Sequence, residues 1–173
     1  MRKPSLRSIL VVAGVVVLIA LFIGAGLYNV AADDEHSALV LRLLATMRDR
    51  SIDVRAAKID VPELADPQRV RRGAGNYDSM CTGCHLKPEG EETEISRGLY
   101  PKPPELERST NVDPARAFWV IKHGIKATGM PAWGKSMEDS YIWDMVAFLK
   151  QLPQMNAEQY RAEVRASGGH SHG

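Results

Sequence analysis

Cys81-Thr82-Gly83-Cys84-His85 holds both cysteines of a 173-residue chain and ends in a histidine. Cys-x-x-Cys-His is the spacing at which a c-type haem is attached. The two thiols add across the haem vinyl groups as thioethers, and the imidazole takes an axial position on the iron. The spacing has a geometric reason. On a helix, Cys81 and Cys84 stand at i and i+3, and His85 stands at i+4 from Cys81, so all three leave from one face. A flat macrocycle is then gripped at its edge and at its metal together. A thioredoxin-like redox pair is a second reading, but it needs a strand-to-helix setting, and no strand pattern precedes the motif. Half of a zinc site is a third, but the chain has no second cysteine pair to complete one.

Outward from the motif, the pattern is helical. A helix is expected from about Asp66 to Cys84, with Asp66 as N-cap and Pro67 in its first position. Residues 87–104 carry four prolines, two glycines and the acidic cluster Glu89, Glu91, Glu92 and Glu94, which reads as a wrapping loop with a solvated face. Asp113-Pro114 opens another helix that ends at His123-Gly124. A loop then carries Thr128-Gly129-Met130-Pro131-Ala132-Trp133-Gly134. A last helix from about Glu138 to Leu152 stops before Pro153, with Ile142, Met145, Val146 and Leu149 on its apolar face and Phe148 alongside. No segment shows strand periodicity, so the expected fold class is all-α.

The N-terminus is different in kind. Arg2, Lys3 and Arg7 precede an unbroken run of apolar or small residues from Ile9 to Leu27. At 1.5 Å per residue the run is a little under ~30 Å long, about one bilayer core. Basic residues before it and Asp33, Asp34 and Glu35 after it place the N-terminus in the cytoplasm and the remainder outside. A retained anchor is expected. The competing reading is a cleaved signal peptide with Val30-Ala31-Ala32 at the cut, although the run is longer than a usual signal core. Both readings export the domain to the side where a bacterium attaches haem to thiols. The chain's net charge of +1 gives no reason to expect nucleic acid.

From Ser37, Leu39, Val40, Leu43, Leu44 and Met47 form an apolar stripe on a helix that packs on the domain, continues the anchor or docks a partner. The expected organisation is a cytoplasmic basic segment (1–8), a transmembrane anchor (9–28), an amphipathic helical linker (29–65), a main domain (66–153) and a flexible tail (154–173). His170 and His172 on that tail make at most a weak metal site.

A haem held by one histidine is either open on its other face or closed by a second ligand, which separates gas or peroxide chemistry from electron transfer. Seven methionines are available. Met1 is terminal, Met47 sits in the amphipathic helix, Met80 is expected to point off the haem face, Met145 belongs to a core stripe and Met155 follows the last helix. Met137 is possible but lies among Lys135, Glu138 and Asp139. Met130 lies in an uncrowded Gly-Met-Pro turn some 45 residues after His85, far enough for the chain to circle a haem edge. It is the expected second ligand, and a gap-filling loop methionine is the plainer alternative.

Several features together resemble class I cytochromes c, above all membrane-anchored bacterial monohaem forms related to the cytochrome c subunits of respiratory oxidases. They are Cys81 to His85, Gly73 with Tyr77, Ile121-Lys122-His123-Gly124-Ile125 leading to Gly129-Met130-Pro131, and Met145-Val146-Ala147-Phe148-Leu149. The resemblance covers roughly residues 66–153. It implies a helical domain around one covalent haem c, with His85 and Met130 as axial ligands and Cys81 and Cys84 as attachment points. It also implies a carbonyl from Pro101-Lys102-Pro103-Pro104 bonded to the proximal histidine, and Trp133 near the haem propionates or packed in the core. Gly73 is expected to admit a close crossing at which Tyr77 and Phe148 meet. His123, at a helix end beside Gly124, reads as a capping residue.

The function these features lead one to expect is one-electron transfer, with no catalytic residues, by a protein anchored once in the bacterial inner membrane. The haem would face the periplasm and serve redox partner proteins of a respiratory chain. The alternatives are an obligate electron-input or electron-output subunit of an oxidase, nitrogen-oxide reductase or dehydrogenase, and, from a different class, a haem peroxidase or gas sensor.

Overall fold

The computed structural model describes residues 5–170, so Arg2, Lys3 and His172 lie outside the described residues. All regular structure among the described residues is helical. The chain divides into two compact units, Met1–Asp34 and Glu35–Gly173.

The first unit holds α1, Leu6–Gly24, capped by the Ser5 side chain, which accepts from the Ser8 N–H. With a mean hydropathy of 2.8 over an 18-residue window, α1 is the one helix among the described residues long and apolar enough to cross a membrane.

The second unit begins with α2 (Ala38–Ala56). Its C-terminal half is tied down: Ile52 and Ala56 are buried, and Asp49 and Asp53 bind Arg116. Leu39, Leu43 and Met47 of its N-terminal half remain exposed.

Helix α3 (Pro67–Met80) starts where the Asp66 carboxylate accepts from the Gln68 N–H at 2.9 Å. It stops four residues earlier than the sequence suggests. Cys81, at φ −110°, leaves the helical track, and a single turn, α4 (Thr82–His85), follows. The break does not scatter the motif, because the His85 N–H still donates to the Cys81 carbonyl at 2.8 Å. The loop beyond contains a short α5 (Glu94–Gly98), closed at its start by reciprocal bonds between Thr93 and Ser96. Helix α6 (Pro114–His123) is capped by Asp113, which accepts from the Arg116 N–H at 2.8 Å.

Helix α7 (Asp139–Gln151) is the centre of the unit. Every residue from Ile142 to Leu149 is buried, so the helix is covered all round rather than on one stripe. α3 crosses it closely at Gly73, where an added Cβ would overlap the Asp144 carbonyl and press on the Phe148 Cβ. The Tyr77 and Phe148 rings then meet with centroids 5.4 Å apart. At the same crossing the buried Asp144 carboxylate accepts from Arg72 Nε at 2.6 Å and from Arg69 at 3.1 Å. On the other side, Phe118 of α6 stacks on Trp143 at 4.1 Å.

Of the stretch 154–173 expected as a flexible tail, the described residues 154–170 need correction. Ala157–Ala166 form α8, with Asn156 and Gln159 capping each other's backbone N–H groups. Gly75 of α3 lets the end of this segment approach, since a Cβ there would meet Ser167 and Gly169. Tyr160 is 2 % exposed, and its hydroxyl donates to Asp78 Oδ1 at 2.8 Å. The physical reason is that Tyr160 completes an aromatic cluster with Tyr77 and Phe148. Tyr160→Phe is expected to lower unfolding free energy by about 1 kcal/mol, the net value of one such bond. Denaturant titration measures this, and an unchanged midpoint would mean that the bond contributes nothing.

Candidate functional site

α3, α4, α6 and the loops between them enclose a mostly apolar cleft of about 460 Å³, within the usual size of cofactor sites. Cys81, Cys84, His85 and Met130 all line it. Three of these groups come from one helical turn and its cap, while Met130 comes from a loop that returns from α6.

The His85 ring is held from behind. Its Nδ1 donates to the Pro104 carbonyl at 2.9 Å, which leaves Nε2 as the acceptor nitrogen. Among the four residues 101–104, Pro104 is therefore the one that supplies the carbonyl. Burial pushes the His85 pKa down, against the smaller upward pull of the Pro104 bond. A neutral ring with a fixed tautomer can offer a lone pair to a metal. Tyr77 fixes the exit from the motif by donating to the Leu86 carbonyl at 2.8 Å, where Leu86 holds a φ of 63°.

Met130 is positioned by its own loop. Its N–H donates to Thr128 Oγ1 at 3.1 Å, the Thr128 hydroxyl donates to the Ile125 carbonyl at 2.8 Å, and the Met130 carbonyl accepts from the Ile125 N–H at 3.2 Å. Gly124 makes the reversal possible. It has a φ of 64°, and a Cβ there would strike the Met130 and Pro131 backbone. Met137, the second methionine weighed from sequence, is buried in the core and does not line the cleft. Met80, expected to point away, does line it, as does Trp133. His123 is exposed, beside Trp119 and outside the cleft.

The two thiols are unbridged. Burial pushes the Cys81 thiol up to about 12, the opposite of the depressed value that activates a thioredoxin-type cysteine. Among the described residues, no three His, Cys, Asp or Glu side chains are grouped to hold a metal ion. Two thiols beside a neutral, oriented imidazole, with a thioether in the same apolar cleft, fit a covalently held haem. Sequence reading missed Arg48 and Arg116, which also line the cleft. They come from α2 and α6, and no local spacing relates them.

A helical domain with such a cleft has the architecture of class I cytochromes c. Residues 68–149 match the family described as cytochrome C oxidase, cbb3-type, subunit III, a class I cytochrome c family. Comparison with curated proteins and with solved structures gives no match. The family implies haem c as cofactor and electron carrying as role.

Proposed function

We propose that the protein is a membrane-anchored c-type cytochrome that relays single electrons in a periplasmic respiratory chain through one covalent haem c. In this reading Cys81 and Cys84 would hold the haem through thioethers, and His85 and Met130 would ligate its iron. The observation that carries it is the meeting of all four side chains on one apolar cleft. Bound haem c supplies one-electron exchange between Fe(III) and Fe(II). The chain's own residues keep the imidazole neutral and oriented through Pro104, present a soft thioether that favours Fe(II), and exclude water with apolar walls. α1 serves as the anchor, with residues 1–8 in the cytoplasm, and the domain over 66–153 faces the periplasm.

The measurement that tests this is a reduced-minus-oxidised spectrum of the purified full chain, followed by exposure of the reduced protein to carbon monoxide. A low-spin haem that ignores the gas is expected, because both axial positions are filled. Rapid binding would favour an open iron and the sensor or peroxidase class.

Exposed Leu39, Leu43 and Met47 on α2 favour a second reading, an electron-input or electron-output subunit of an oxidase or another oxidoreductase complex. Purification in mild detergent separates the two. A stable stoichiometric complex supports the subunit, and a lone chain supports the free carrier.

A further inference from the structure

α2 lies outside the matched family segment, yet it reaches the cleft, because Arg48 lines it together with Arg116 of α6 and Lys102 of the proline loop. The two arginines sit in a network that joins α2 and α6. Arg48 donates from Nε and Nη2 to the Asp49 carboxylate at 2.9 and 3.2 Å. Arg116 donates to the same carboxylate at 2.8 Å and also binds Asp53. Lys102 is paired with Glu92 and lies 3.8 Å from Glu105. Asp113, the acidic residue among those lining the cleft, accepts from a backbone N–H as the cap of α6.

Haem c is not uniformly apolar. It carries two propionate carboxylates, and a carboxylate withdrawn from water needs donors or a positive partner. A guanidinium matches that need with its planar fork of N–H groups. Arg48 uses only part of its fork on Asp49, and no other hydrogen bond engages it among the described residues.

We infer that Arg48 of α2 is a binding residue for a haem carboxylate, paired with Arg116 across the α2–α6 contact, and that α2 is a wall of the haem site. The inference rests on the haem reading proposed above. Its consequence is electrostatic. A positive charge held beside the haem favours Fe(II) over Fe(III), whereas Asp49 and Asp53 act in the opposite sense. The helix that precedes the family segment therefore takes part in setting the potential.

The test uses the full-length holoprotein in detergent, with Arg48→Gln, Arg48→Lys and Asp49→Asn compared by spectroelectrochemical titration at low ionic strength. Arg48→Gln is expected to lower the midpoint potential, Arg48→Lys to stay nearer the wild type, and Asp49→Asn to raise it. The opposite signs are diagnostic. Arg48→Gln and Asp49→Asn break the same ion pair, so mere loosening of α2 would move both potentials in one direction. Shifts of equal sign, or three unmoved potentials with intact spectra, overturn the assignment. A wild-type protein without a haem spectrum would instead overturn the proposed function, and this inference with it.

Discussion

Met130→Ala is expected to abolish the sulfur-to-Fe(III) charge-transfer band and to lower the midpoint potential of the haem. The thioether is a soft ligand that stabilises Fe(II), so its loss shifts the couple towards Fe(III). Water or an exogenous ligand can then reach the iron, and the reduced variant should bind carbon monoxide. The loss of stability should be modest. Met130 is only partly buried, and the bonds through Thr128 and Ile125 that shape its loop use backbone groups that alanine retains. About 1–2 kcal/mol, below the usual range for a core methionine, is expected from denaturant titration. Met130→His provides a control, since it should keep a six-coordinate iron at a lower potential. A band that survives in Met130→Ala would move the ligand role to Met80, the other methionine lining the cleft. Met137, which the sequence left as second choice, is enclosed by the core.

The second large effect concerns stability. Gly73→Val should destabilise the domain by about 3 kcal/mol, near the top of the usual range for overpacking. The obstacle is the backbone of α7, at the Asp144 carbonyl, together with the Phe148 Cβ. A flexible side chain could swing aside, but a helical carbonyl cannot, so α3 must move away. That movement would open the Tyr77–Phe148 contact and stretch the bonds from Arg69 and Arg72 to Asp144. Gly73→Ala should cost less, because alanine regains up to about 1 kcal/mol of helix propensity. Gly98→Ala is the control, since nothing lies within 4 Å of an added Cβ there. Chemical denaturation of the three variants gives the order directly, and equal midpoints would remove the close crossing as a source of stability.

The legible parts of the fold share a property. Asp66-Pro67 and Asp113-Pro114 announce helix starts because a cap and a first-turn proline act on their immediate neighbours. The apolar span now described as α1 stands out by composition alone. Gly73 as a close-packing glycine is readable because a mid-helix glycine needs a compensating contact, and Asp144 and Phe148 supply it. The missed parts have the opposite character. α8 reads as polar and runs into glycines at its end, and what orders it is Tyr160 reaching Asp78, 82 residues away. The break at Cys81 within an otherwise continuous helical pattern leaves no mark in spacing. Asp144, on a helix whose visible stripe is apolar, gives no sign that two arginines some 72 to 75 residues away will hold it.

Within the site, the sequence by itself determined the residues of the proposed attachment. Cys84 and His85 lie in one helical turn with Cys81 as its cap, and groups so close along the chain keep their relation in any fold that forms that turn. It also singled out Met130, through the steric openness of Gly-Met-Pro. Only the tertiary structure decided that Met130 and His85 face one cleft, that Pro104 is the carbonyl behind the imidazole, and that Arg48 reaches the same space from α2. Each of these depends on where separate helices are held by the packing around α7. Such packing sums many weak contacts between residues far apart in the chain, and no short stretch of sequence contains that sum.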